Sequence, residues 1–178
     1  MSSVIINGDT SGSITLAAPA VAGTNTLTLP ASTGTVLTDT APKVGNVLQV
    51  VIAEDSTILS LATSTYTDTG LSASITPTAT SSKILVMWNV QCDHASTNSG
   101  FGTKLLRDAT AIYTSTNTYA VYAPTAGARS MSSFNYIDSP SSVATITYKV
   151  QVASDAGFAI DINDANNQSQ IVLMEIAG

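Results

Sequence analysis

Cys92-Asp93-His94 is the one cluster in this chain that sets a thiol beside an imidazole. A thiolate nucleophile needs a base within hydrogen-bonding reach, and on a strand alternate residues share a face. Cys92 and His94 would then point one way and Asp93 the other. The cluster ends an apolar run, where a cysteine is more often a small core residue than a nucleophile. Zinc needs at least two ligands beyond one Cys and one His. A second oxygen-rich stretch, Asp161-Ile162-Asn163-Asp164-Ala165-Asn166-Asn167, raises calcium. Ala165 stands where a third ligand of an EF-hand belongs and Val172 where its bidentate Glu should be, so the turn preference of Asn and Asp explains the stretch without metal. Asn167-Gln168-Ser169 matches the glycosylation acceptor pattern, a common three-residue match.

No Gly-rich phosphate loop, serine nucleophile elbow or Lys-rich patch is present. A glycosidase would need two placed carboxylates, and Asp138, Asp155, Asp161 and Asp164 all fall near expected turns, as solvated acids would. The sequence therefore predicts no enzyme, no catalytic residue, no metal and no cofactor. A binding role has more support: Phe101, Tyr113, Tyr119, Tyr122 and Arg129 gather in and around the least regular part of the chain. Aromatics on loops offer large rigid surfaces with polar tips, on which sugars stack, although a Tyr in a β protein also fills sandwich edges.

The elements that would position these residues are strands. Ser81 to Asp93 stays apolar on both faces of an extended segment, with Ile84, Val86, Trp88 and Val90 on one side and Leu85 and Met87 on the other. Ile171-Val172-Leu173-Met174 repeats that property. A two-layer sandwich covers one face of a strand, so the other face needs a partner. Ile84, Val86, Met87, Trp88, Val172 and Met174 are accordingly expected in the core or at an oligomer interface. Further strands are expected at Val47 to Ala53, Leu71 to Ile75 after a turn at Gly70, Lys104 to Arg107 paired with Ala111 to Tyr113, Ser130 to Ile137, Ala144 to Val152, and Phe158 to Ile162. No window carries a sustained helical stripe. The fold class is all-β, an antiparallel β-sandwich of jelly-roll type over residues 43–178, preceded by an extended arm over residues 1–42.

The chain has 178 residues, 44% hydrophobic and only 10% charged, so Ser, Thr and Asn must carry its solubility, as in many extracellular and virion proteins. Six basic against twelve acidic residues give a net charge of -6, which opposes binding to nucleic acid. The longest run in the Ser81 strand is five apolar residues, far short of the ~20 that cross a bilayer. A single cysteine excludes an intrachain disulfide. The N-terminus has no basic start and no apolar core, so no signal peptide is expected. In the arm, Ser13-Ile14-Thr15-Leu16 and Thr26-Leu27-Thr28-Leu29 each carry two apolar residues on one face. Such pairs bury too little alone to offset an ordering cost of ~1–2 kcal/mol per residue. Contacts with other subunits would supply the rest.

The segment GSITLAAPAVAGTNTLTLPASTGTVLTDT, residues 12–40, resembles the N-terminal segment of many bacteriophage tail-fibre and virion appendage proteins. STYTDTGLSASITPTATSSKILVMWNV, KLLRDATAIY and the closing IVLMEIAG resemble a domain that recurs in tailed-phage structural proteins. The resemblance implies a virion component assembled in the host cytoplasm, a fibre or tail-appendage protein. The regularly spaced apolar residues of the arm, Ile14, Leu16, Leu27, Leu29, Val36 and Leu37, suit repeated shallow contacts, so the arm is expected to dock on other virion proteins through them. The outward head, a homotrimer, would touch a host glycan or protein through the polar-aromatic loops. A capsid decoration protein that stabilises the shell is the alternative.

Overall fold

The computed structural model describes residues 3–7, 9–17, 20–21, 23–24, 42–115 and 120–178. The chain divides into two units, Met1–Val36 and Leu37–Gly178. In the first, β1 (Ser3–Asn7) and β2 (Ser13–Ala17) form an antiparallel hairpin. Gly12 before β2 adopts a φ of +79°, a conformation glycine enters without a Cβ penalty. Val4 pairs with Leu16 and Ile6 with Ile14, so four apolar side chains share one face, each more than half exposed. The β2 segment was expected; its pairing with β1 was not.

The second unit contains β3 (Val47–Asp55), β4 (Leu59–Leu61), β5 (Thr67–Ile75), β6 (Lys83–His94), β7 (Ser99–Arg107), β8 (Thr110–Thr114), β9 (Val121–Ala123), β10 (Ala128–Asp138), β11 (Ile146–Ser154), β12 (Ile160–Ile162) and β13 (Ser169–Ile176). In one sheet β6 is central, with β10 along one edge; β13 and then β3 follow on the other, and β12 and β4 continue that side at the far end of β6. The second sheet runs β5-β11-β7-β8, with β9 beside β8 on the same edge of β7. Taken in chain order, the eight principal strands are β3, β5, β6, β7, β8, β10, β11 and β13. Their sheet orders are therefore first-eighth-third-sixth and second-seventh-fourth-fifth. Every connection among them changes sheet except the β7–β8 hairpin, which is the double Greek key of a jelly roll. The fold is thus the antiparallel sandwich that the alternating strands predict.

The core lies between the two sheets. Ile84, Val86, Trp88, Val90 and Cys92 of β6 face Leu71, Ala73 and Ile75 of β5, Phe101 and Leu105 of β7, and Tyr148, Val150 and Val152 of β11. Period 2 places these residues inward and their neighbours outward, and the burial of β6 and β13 alternates throughout. Two polar clamps close the sandwich. Asp138 of β10 accepts both oxygens' bonds from Arg107 Nη1 of β7, at 3.0 and 3.1 Å, and a third from Tyr148 Oη of β11 at 2.7 Å. Glu175 of β13, fully buried, accepts from Gln49, Ser82 and both the backbone N–H and hydroxyl of Thr78.

Several sequence expectations need correction. Gly70, with φ of +91°, does not turn the chain; it sits inside β5, opposite the register shift between Lys149 and Gln151, as a glycine in a strand bulge does. β7 begins at Ser99 rather than Lys104, because Gly100 and Gly102 hide the alternation there. Asp138 is no solvated turn acid but a buried acceptor. The short β4 and β9 carry too few residues to show a period.

Candidate functional site

Cys92 and His94 share the inner face of β6, as their spacing predicts, but they do not form a pair. Burial, with the nearby carboxylates of Asp93 and Asp161, pushes the Cys92 thiol up to about 12, so it stays protonated. Both His94 ring nitrogens are engaged elsewhere: Nδ1 lies 2.8 Å from Ser99 Oγ and Nε2 lies 2.7 Å from Ser130 Oγ. Ser99 donates its own proton to the Ser96 carbonyl at 2.9 Å, so it accepts from Nδ1–H. Nε2 is then the acceptor for the Ser130 hydroxyl. His94 is fully buried, and burial holds its pKa below the ordinary imidazole value. The imidazole acts as a neutral joint between β6, β10 and the start of β7.

In the oxygen-rich stretch at 161–167, Asn163, Asp164 and Asn167 are engaged in internal bonds. Asn163, fully buried with φ of +60°, donates to Asp55 Oδ2 at 3.2 Å and the Thr57 carbonyl at 3.1 Å, and accepts from Ser169 Oγ at 2.6 Å. Asp164 Oδ2 lies 3.6 Å from Arg129, and its carbonyl accepts from Asn167. Among the described residues no three His, Cys, Asp or Glu side chains converge to hold a metal.

The five residues read as receptor contacts separate. Phe101 is fully buried, its ring packed near His94, and presents no surface. Tyr113 is half-buried and stacks on Phe134 at 4.4 Å, over Trp88 at the open side of the sandwich. Tyr122 is half-exposed, and its hydroxyl donates to Asn98 at 2.8 Å. Arg129 is exposed and bonded to Asp93 at 3.2 Å. Tyr119 lies outside the described residues, as do Leu27, Leu29, Val36 and Leu37 of the arm. Ile14 and Leu16 fall on the apolar face of the β1–β2 hairpin.

The dominant surface feature is the contrast between the two outer sheet faces. On the β5-β11-β7 sheet, Ser74 bonds Thr147 across strands at 2.8 Å, and Lys149 and Gln151 both bond Asp68, a wetted polar face. The other sheet carries two apolar rows on its outer face, next to a polar row of Glu54, Gln170, Asn89 and Ser133. Register aligns Val50, Met174, Leu85 and Ile137 in one row across β3, β13, β6 and β10, and Ile52, Val172 and Met87 in the next. Val50 is 49% exposed, Ile52 58%, Met131 53% and Ile137 57%. Ile84, Val86 and Trp88 thus belong to the core, whereas Met87, Val172 and Met174 belong to this outer face. All three methionines after Met1 lie on it. Unbranched thioethers adapt to irregular contacts, and they concentrate where packing must follow another surface. Val50, Ile52, Met131 and Ile137 were missed in the sequence, although the methionine placement was a usable signal once β10 was in register.

No protein-family model matches the sequence, and no curated protein matches it. Similar solved structures include a chain of infectious bursal disease virus, Gx strain, 13% identical over 98% of this chain and 46% of that chain with a TM-score of 0.45. A chain from T=1 particles derived from infectious bursal virus is 12% identical over 97% of this chain and 44% of that one, with a TM-score of 0.46. This chain spans less than half the length of either.

Proposed function

We propose that this chain is a structural subunit of a bacteriophage virion, a fibre or tail-appendage protein whose jelly-roll head assembles as a trimer. The observation that carries the reading is the outer face of the β3-β13-β6-β10 sheet, with two apolar rows free of charge, opposed by a polar face on the other sheet. Exposed apolar area on this scale, on the order of several hundred Å², marks a surface that another molecule covers. A chain of net charge -6 approaches like-charged copies best through such an uncharged face. The resemblance of residues 12–40 to phage appendage segments assigns particle docking to the arm, and the exposed Val4, Ile6, Ile14 and Leu16 face suits shallow apolar contact. Three arms on one trimer would bind with avidity, because the second and third engagements become intramolecular.

Light scattering on the purified protein tests the assembly. The expected mass is a multiple of three, and Ile52→Asp, which places a carboxylate in the second apolar row, should break the face contact while circular dichroism stays β-rich. A folded monomer at micromolar concentration would overturn the reading. Deleting residues 1–42 should abolish incorporation into particles and leave a soluble head. Tyr122→Ala should leave incorporation intact and reduce attachment to host cells. Copy number in intact particles separates an appendage, a small multiple of three or six at the tail, from a decoration protein spread over the shell.

A further inference from the structure

A strand at the edge of a sheet carries a row of unpaired backbone donors and acceptors, and proteins that must stay apart guard such edges with charge, bulges or brevity. The described edges of this sandwich follow that rule with one exception. β3 ends on Glu54 and Asp55 and has a register shift near Glu175. β5 carries Asp68 and the Gly70 bulge. β8 has five residues and a shift between Leu105 and Leu106, while β4 and β9 have three residues each.

β10 has charge only near its ends, Arg129 bonded to Asp93 and Asp138 buried against Arg107 and Tyr148, and its middle is unguarded. It pairs with β6 over eleven consecutive positions without a shift. It contains no proline, and Ser130 to Ile137 carries no charge. Among the described residues its other edge has no strand partner. Apolar side chains lie on both of its faces, Met131 and Ile137 outward and Phe134 inward, and Phe134 remains 42% exposed although it points between the sheets.

We infer that the free edge of β10 is a strand-addition site whose occupant is β10 of a second copy, running antiparallel about a two-fold axis. The sequence of the strand is self-complementary in that arrangement. With Phe134 opposite its own copy, Met131 falls opposite Ile137, Ser132 opposite Tyr136 and Ser133 opposite Asn135. Apolar meets apolar on both faces, and no like charges meet. Shifting the register by two residues in either direction loses the Met131–Ile137 match. An unrelated strand could use the same backbone groups, but only a second copy accounts for this symmetry of side chains. An isologous contact of this kind closes on itself, so it doubles whatever number the sheet face sets. It also carries the row ending at Ile137 onward to the partner's Met131, beyond which that row meets Gln91.

Ser133 and Asn135 project from the outer face, Asn135 in register with Met87, so a charge swap there is read by even, one-to-one recovery on mixing, which a threefold face contact does not give. Ser133 and Asn135 are exposed on the outer side of β10, so replacing them should not disturb folding. The double variant Ser133→Lys, Asn135→Lys sets two lysines against two lysines and should halve the mass read by light scattering, to three chains if the face makes trimers and to one if it does not. The variant Ser133→Glu, Asn135→Glu should halve it likewise. Mixing the two variants pairs each lysine with a glutamate and should restore the full mass, as a complex containing equal amounts of both chains. An odd number of chains in the wild-type protein, an unchanged mass in the lysine variant, or no recovery on mixing would overturn the proposal.

Discussion

Glu175 is the perturbation whose cost the structure fixes most closely. Its Oε1 accepts from the Thr78 backbone N–H, the Thr78 hydroxyl and the Ser82 hydroxyl, each at 2.7 Å, and its Oε2 accepts from Gln49 Nε2 at 2.6 Å. Glu175→Gln keeps the shape and the bonds to one oxygen but removes the charge and turns an amide toward the Gln49 amide, donor against donor. A hydrogen bond to a charged group contributes about 1.5–3 kcal/mol, so losing one and weakening three should cost about 3 kcal/mol. The wild-type cost should also depend on pH. Burial raises the Glu175 pKa, but bonds from Ser82, Gln49 and Thr78 outweigh it and hold the carboxyl below its ordinary value of 4.5. As pH falls below about 4.5 the unfolded chain takes up the proton first. The contribution of Glu175 is therefore complete above that pH and is lost as pH falls toward the folded value. Urea unfolding followed by the fluorescence of Trp88, the single tryptophan, at pH 7 and in steps down to pH 3.5 reads both effects. The gap between wild type and Glu175→Gln should be widest at pH 7 and shrink in acid. Equal stability of the two proteins at pH 7, or a gap unchanged at low pH, would refute the account.

Removing Asp138 as Asp138→Ala leaves the Tyr148 hydroxyl buried and Arg107 uncompensated; with Arg107 partly solvated the cost should be about 2–3 kcal/mol, against about 1–2 for Tyr148→Phe. A double-mutant cycle in urea should show the two losses to be less than additive, and additivity would separate the two residues. His94 is the only histidine, so its proton NMR signal is unambiguous: it should titrate below 6.5, and stability should fall as pH drops from about 6.5, a slope that His94→Gln removes. Titration at an ordinary imidazole pKa would show that the site admits water.

How much was legible depended on how far each residue's partner lay along the chain. The strict alternation of Ile146, Tyr148, Val150 and Val152 identifies β11, and the double-sided apolar run of Ile84 to Trp88 identifies a central strand, because period 2 is a local property. The jelly-roll order could be expected from the number and spacing of strands but not its pairing, which depends on contacts such as β3 with β13, more than a hundred residues apart. Asp138 and Asp161 look alike in the sequence, each an acid close to a turn. One lies opposite Ile84 on an edge strand and reaches Arg107 and Tyr148; the other pairs with Ser60 and Asp93. Phe101 fell among apparent loop aromatics because Gly100 and Gly102 erase the alternation on either side of it. The outer face was half visible: Met87, Val172 and Met174 follow from period 2 in β6 and β13. Val50, Ile52, Met131 and Ile137 join them only through cross-strand register.

The two halves of the sandwich divide their work by chemistry. On the polar sheet, hydroxyls bond across strands, Lys149 neutralises Asp68 and Gln151 donates to it; the Gln151 bond does most to lower the Asp68 pKa and Lys149 lowers it further, against the effect of burial. That face satisfies itself in water and gains nothing from a partner. The opposite sheet has a core face as tightly buried as any and an outer face with two apolar rows, bordered by the polar row of Glu54, Gln170, Asn89 and Ser133. A strand buried on one side only would tolerate Thr or Lys at positions 85, 87, 172 and 174, as β5 and β11 tolerate Ser72, Ser74, Thr147 and Lys149. Their absence costs the isolated subunit solubility and returns nothing to its folding. The proposed function assigns the compensation to a molecule that covers the face, and the β10 edge proposed for strand addition lies beside it.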